Sequence, residues 1–384
     1  MTTTTTEKGT LRDATFDDAL EATALLVRLG LTMPEGDDAV SAYFDKLWRA
    51  NPAMRTAASK PALGWVLEDN GEIVGFFGNV PLLYEFGGKP MIVSDASLWG
   101  VDQNYRSETP RLAEAYFGQT NVDALLVTTA IKPTRRIFER HGGMPVAQPG
   151  LDEVLYWVID GAGFMKAGLR KKGVGGVASF LGGHLGGMAL NARLRLFGRR
   201  PFANLDGITI INPDEIDAEF DDLWRDKCKE YPGRLLANRS AEALKWHFNV
   251  GRFSTLTRII CLYASEQAGG GLRGYAAVVR EDAPEIGLKR LKIADLFVAG
   301  DDAGAVDALL AAAYEYGMAK RCHVVEVIGL PENLRRRVVS HKPLSRPMPT
   351  FPFLFKAVNP GLSDPLSHAD GWYMTAYDGD STLL

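Results

Sequence analysis

The chain has 384 residues, 46% of them hydrophobic and 23% charged, and a formal net charge of −4. That length suits two domains of ordinary size, and the composition supports packed cores rather than disorder. The mildly acidic balance argues against a nucleic-acid-binding protein, whose domains are strongly basic.

Residues 1–10 open with a threonine run lacking an apolar core. They read as a frayed tail, not a secretory signal. Thr15 and Asp18 have capping-box spacing, and Ala19, Leu20, Ala22, Leu25, Leu26 and Leu29 then recur at helical period until Gly30. A second helix is predicted from Asp37 to Ala50, stopped by Asn51-Pro52. Gly64 to Glu68 and Glu72 to Val80 form a hairpin around Asn70-Gly71, since type I′ turns need positive φ. Tyr84 to Lys89 reads as a further turn and Met91 to Val101 as a long strand. A helix from Pro110 to Thr120, a strand from Ala124 to Thr129 and a helix from Pro133 to Arg140 complete the first half. This is an antiparallel meander joined to a parallel pair by a crossover helix, an α+β arrangement.

Residues 161–204 differ in composition. They are glycine-rich, and residues 161–203 hold Lys166, Arg170, Lys171, Lys172, Arg193, Arg195, Arg199 and Arg200 without one Asp or Glu. We take this stretch as the connector between domains at 11–160 and 205–384. Its basic residues, with Phe164, Met165, Leu169, Phe180, Leu181, Leu185, Leu190, Leu194 and Phe197, suit either peripheral contact with an anionic membrane or glycan, or a connector packed on both domains. After Asp206 the element order returns, with strands at Thr257–Ala264, Arg273–Arg280, Lys292–Val298 and Val324–Ile328 and helices at Ala303–Ala319 and Pro331–Val339. The repeat of order with little identity indicates a diverged tandem duplication.

Cys228, Cys261 and Cys322 form no CxxC pair, and the six histidines show no HxxxH or HExxH spacing. We expect reduced thiols, no metal, and a cytoplasmic protein with no membrane-spanning helix.

Three stretches of the first half resemble the GNAT (N-acetyltransferase) family: Leu11 to Ala19, Val101 to Arg106, and Pro133 to Gly143. The second half, through Trp246-His247-Phe248, Ile293 to Leu296 and the individual ending Trp372 to Asp380, resembles the companion domain of tandem proteins. Those include peptidoglycan-bridge (FemABX-like) ligases and acyltransferases of bacterial exopolysaccharide clusters. The resemblance implies two tandem GNAT-like domains. Each would be a mixed, mostly antiparallel sheet with a splayed parallel pair and flanking helices.

It further implies acyl transfer from acetyl-CoA or another acyl-CoA to an amine of a sugar, peptide or cell-envelope precursor, with the CoA site in the first domain. The matching positions are Trp99, Gly100 and Val101 at the strand end, Arg106, Ser107, Glu108, Thr109 and Arg111 in the phosphate loop, and Phe138 in the late helix. Backbone N–H groups at a helix N-terminus make such loops. Here Ser107, Thr109 and Arg111 replace small residues, Pro110 lacks an N–H, and Glu108 adds negative charge. Either Arg106 and Arg111 take over the phosphates, or the segment is an ordinary helix start.

Asp95 lies where the family often places its base, with Val93 and Ser97 on the same face; a hydrogen-bonded structural aspartate is the alternative, and Glu68 a second candidate. Phe138 stands where the family often has a tyrosine acid, leaving Tyr105 or His141 as substitutes. Gly300-Asp301-Asp302-Ala303-Gly304 in the second half reads as a helix cap, not a phosphate loop. Trp246, Phe248 and Trp372 suit either a cleft or the core. The competing readings are a non-catalytic GNAT-fold binding protein and a FemABX-like aminoacyl-tRNA-dependent ligase.

Overall fold

The structure is a computed structural model that describes residues 7–129, 132–174, 186–190, 192, 200–249, 254–265, 270–348, 353–380 and 382–383. It is an α+β protein with two mixed sheets. The first runs β1 (Thr10–Asp13), β2 (Gly64–Asp69), β3 (Glu72–Phe86), β4 (Lys89–Val101), β5 (Ala124–Val127), β15 (Leu354–Ala357), β6 (Met144–Pro145). The second runs β8 (Ile208–Ile211), β10 (Thr257–Tyr263), β11 (Leu272–Arg280), β12 (Arg290–Val298), β13 (Val324–Ile328), β7 (Glu153–Val158), β14 (Leu344–Pro347). Short strands β9 (Leu235–Ala237) and β16 (Trp372–Tyr373) extend the first sheet beside β3.

Position by position the two sheets have one plan. Each has a meander of four antiparallel strands, a parallel pair (β4 with β5, β12 with β13), and two antiparallel strands beyond it. The sixth position is exchanged. β7, from the first half of the sequence, lies in the second sheet, and β15, from the second half, lies in the first. Sheet membership therefore cuts across the expected 11–160 and 205–384 division. Both exchanged strands sit between neighbours. The apolar run of β7, Val-Leu-Tyr-Trp-Val, fits a place covered on both faces.

Helices α1 (Ala19–Arg28) and α2 (Asp37–Phe44) cover one face of the first sheet. There Leu25, Leu26 and Phe44 join a core that continues through Trp157, Ile259 and Leu296 into the second domain. Helices α4 (Thr109–Phe117) and α5 (Lys132–Arg140) cover the other face over Trp65, Phe77, Tyr116 and Phe138; α3 (Pro52–Thr56) adds Ala53. Asn51 caps α3 through the N–H of Ala53 and ends the preceding helical run. Leu20, expected on the buried stripe of α1, is exposed. β3 does not stop at Val80 but runs to Phe86, and the turn falls on Gly87 and Gly88, both at positive φ.

Helix α6 (Gly161–Lys171) starts the connector. Asp160 caps it, and Phe164 stacks on Tyr156 of β7. The expected basic residues Arg193, Arg195 and Arg199 and the apolar Phe180, Leu181, Leu185, Leu194 and Phe197 lie outside the described residues. Cys261 and Cys322 are buried, and burial pushes the Cys261 thiol up to about 12. Among the described residues no helix is long and apolar enough to cross a membrane.

Exchanged strands and one continuous core couple the halves mechanically. We predict that in urea, tryptophan fluorescence and far-UV circular dichroism report one coincident unfolding transition. Two separated transitions would contradict the coupling.

Candidate functional site

The site begins with a break in the β4 ladder. Phe77 pairs with Trp99 and Gly78 with Ser97, which leaves Leu98 as an extra residue at φ 53. A leucine in the left-handed region is strained, and such bulges re-aim a strand. β4 pairs with β5 only over Val93–Asp95 against Ala124–Leu126. Beyond the bulge the two strands part. The second domain repeats the device: β11 and β12 slip one residue at Ala294, and the parallel pairing of β12 with β13 ends at Ile293.

On the helical face of the first splay lies a cleft of about 610 Å³. Its floor is Trp99, Gly100 and Val101; its walls are Arg106, Thr109 and Pro110 at the start of α4, and Pro133, Thr134, Ile137, Arg140 and His141 on and after α5. Among the described residues the lining has two arginines and a histidine and no carboxylate. Trp99 stacks on Phe77 at 4.4 Å, and its indole N–H is buried without a partner among the described residues. A wider groove of about 930 Å³ lies at the opposite end of α4, around Trp48, Lys60 and Asn121, away from the splay.

Five of the expected binding residues, Trp99, Gly100, Val101, Arg106 and Thr109, thus meet at one cleft. The others go elsewhere. Glu108 is buried; its carboxylate accepts from Ser107 Oγ at 3.0 Å and Arg111 Nη1 at 3.2 Å. Arg111 also donates to the carbonyls of Lys8 and Gly9, so it ties down the first strand instead of facing the cleft. The loop's negative charge is thereby neutralised away from the arginines of the cleft. Phe138 is 2% exposed, against Tyr116 and Phe117, and packs the core. His141 stacks on Phe117 at 4.5 Å and lines the cleft, whereas the Tyr105 hydroxyl is held by Asp69.

Asp95 is fully buried behind the splay and is not part of the cleft lining. Neither of its oxygens makes a well-formed hydrogen bond among the described residues. Burial raises its carboxyl well above the usual range, Asp380 and Asp378 raise it further, and the Asp380 N–H only partly offsets them. Its surroundings therefore favour the protonated form. Trp246, Phe248 and Trp372 are core residues.

Sequence reasoning missed what the ending does. Asp380 lies across the parted strands: it accepts from Ser97 Oγ of β4 at 3.2 Å and from Thr128 and Thr129 Oγ1, just past β5, at 3.1 Å each. Burial raises its carboxyl, and these three hydroxyls pull it back. Two residues earlier, Asp378 joins a buried cluster. Arg239 donates to Asp295 at 2.9 and 3.2 Å, to Asp378 at 3.1 Å and to the Ala237 carbonyl at 2.9 Å. Tyr84 of β3 donates to Asp378, and Tyr275 of β11 and Thr375 donate to Asp295. Burial opposes the Arg239 charge, but Asp295 and Asp378 outweigh it and hold the guanidinium protonated. Lys46 grips the far end of the segment through the Leu383 carbonyl at 2.9 Å, and burial pushes its ammonium down to about 7. The legible signal was the density of Thr, Tyr and Asp in the ending.

In the second domain the equivalent loop is closed. Asp301 accepts from Lys227, Tyr231 and Asn333, and Asp302 caps the following helix through the Ala305 N–H at 2.7 Å. Tyr373 and Thr375 occupy its splay: Tyr373 donates to the Leu296 carbonyl, and Thr375 bridges to Gly329. Among the described residues there is no group of His, Cys, Asp or Glu that could hold a metal ion.

No protein-family model and no curated protein matches the chain. Solved structures do. One is a conserved protein of unknown function from Enterococcus faecalis V583, described as a probable N-acyltransferase, with a TM-score of 0.58 and 11% identity over 91% of this chain and 73% of that one. Another is a GCN5-related N-acetyltransferase from Anabaena variabilis ATCC 29413, with a TM-score of 0.56 and 10% identity over the same shares. At this identity the likeness establishes the fold: two mixed sheets with flanking helices, as in these N-acetyltransferase-type structures.

The buried cluster yields a prediction. Arg239→Met leaves Asp295 and Asp378 without their cation, which should cost about 3–5 kcal/mol of stability in urea unfolding. A loss below about 1 kcal/mol would show that the cluster does not hold the domains together.

Proposed function

We propose that the protein is an acyl-CoA-dependent N-acyltransferase, acetyl-CoA being the first donor to test, with the donor site in the first domain. The observation that carries this reading is the carboxylate-free cleft with Arg106, Arg140 and His141, opening directly at the Leu98 bulge.

The chemistry follows from the parts. A pyrophosphate placed at the start of α4 meets the positive end of the helix and two guanidinium groups, which offset the donor lost at Pro110. Arg106 is exposed at the cleft and has no ion-pair partner among the described residues, so its guanidinium can engage an anion. The pantetheine arm then runs over Trp99, Gly100 and Val101, where the unpartnered indole N–H is a donor for an amide carbonyl. A bulge leaves one residue out of the ladder, and its N–H can polarise the thioester carbonyl. Two carboxyls stand behind the splay. Burial and its acidic neighbours push the Asp95 carboxyl up, whereas Asp380 is met by three hydroxyl donors, which favours Asp380 as the base of the pair. Phe138 supplies no acid; the His141 imidazole lines the cleft on the side where the thiolate would depart.

Isothermal titration calorimetry with acetyl-CoA tests the reading. Wild type should bind, and Arg106→Ala or Arg140→Ala should weaken binding by roughly tenfold each, the scale of one charge-assisted contact. Wild type that fails to bind at millimolar ligand would overturn the donor site.

A further inference from the structure

A second, smaller cavity of about 230 Å³ lies between the two sheets, on the other side of the splay from the donor cleft. Thr128 and Thr129 form its wall on the first domain. Val327 and Ile328 of β13, with Ile293 of β12, form the opposite wall. Ala376 and Thr382 of the C-terminal segment close it. Glu281, Glu326 and Lys292 also face it, Glu281 paired with Lys292 and Glu326 with Arg346. The threonine hydroxyls that line this space are the ones that donate to Asp380. A carboxylate without an ion-pair partner among the described residues thus sits one hydrogen bond behind the wall. It is also bonded to Ser97, next to the bulge.

We propose that this interdomain cavity is the acceptor site, that its ligand is a small primary amine with an apolar body, and that Asp380 receives the amine's proton through Thr128 or Thr129. The inference rests on the transferase reading. Its chemistry balances. The ammonium passes one proton to a threonine oxygen as that hydroxyl's own proton moves to Asp380. The freed lone pair forms the C–N bond at the thioester carbonyl, and the C–S bond breaks with its electrons on sulfur. The nitrogen's remaining excess proton goes to the thiolate, leaving an amide, a thiol and a protonated Asp380 that returns its proton to water. The apolar part of the wall selects the body of the acceptor, and Asp380, the carboxylate behind the wall without an ion-pair partner among the described residues, favours an ammonium head over a neutral one.

The cavity and Asp380 are built jointly by the two domains and the ending, which gives the second domain a role although its own loop is closed.

Ligand-observed NMR on the full-length protein tests this with n-butylamine as probe and 1-butanol as its neutral isostere. Wild type should bind n-butylamine at least tenfold more tightly than 1-butanol. Ile328→Phe, which fills the cavity, and Asp380→Asn, which removes the charge, should each weaken n-butylamine binding at least fivefold while leaving acetyl-CoA binding unchanged. Should Ile328→Phe not fold, Thr129→Val removes a wall hydroxyl at nearly constant volume and should show the same loss. Equal binding of amine and alcohol, or amine binding indifferent to these substitutions, would overturn the proposal. Acetyl-CoA binding without n-butylamine binding would refute the cavity and spare the transferase reading. Substitution-sensitive n-butylamine binding without acetyl-CoA binding would support the cavity and remove the transferase reading.

Discussion

Arg239 and its two carboxylate partners are fully buried. A guanidinium stripped of water is tolerated only when its donors are met in good geometry. Here Asp295 comes from the second sheet and Asp378 from the C-terminal segment, and Tyr84 of the first sheet donates to Asp378. Each group is satisfied only when both sheets and the ending are in place. Much of the rest depends on this constraint. It sets the seam between the domains, fixes where residues 372–383 run, and delivers Asp380 into the gap between β4 and β5.

The two sheets share one strand plan but use it differently. Both sheets carry a bulge near the end of the parallel pairing, so both could open a splay. The second domain fills its splay with Tyr373 and Thr375 and seals the loop with Asp301 and its donors. The first domain keeps an open cleft on its helical face, because Glu108 is turned in and paired with Arg111. The two sheets thus differ in whether the acidic residue of the loop after the splay is turned inward or seals it.

The α+β class and the repeated element order were legible because amphipathic period, the Asn70-Gly71 turn and the caps act locally. The exchange of β7 and β15 was not, because strand partners are chosen by tertiary fit and an apolar hexapeptide serves either sheet equally well. The resemblance named five residues that line one cleft. Phe138 and Arg111 were misplaced, because sequence position does not say which way a side chain points. Asp95 was found as an unusual strand carboxylate, but its lack of partners depends on residues far away in sequence. Arg239, Asp378 and Asp380 were invisible as a group, since the partners that join them to the two sheets lie 56 to 294 positions off.

The central claim is that the C-terminal segment is structural core and part of the site, not an appendage. Site-resolved amide hydrogen exchange tests it directly at Thr375, Tyr377 and Asp380, whose N–H groups are bonded to Asp378, Thr375 and Thr128. The account predicts exchange as slow as in β3 and β11, at the free energy of global unfolding. Exchange at the rate of an unprotected loop, with the sheets still protected, would contradict it.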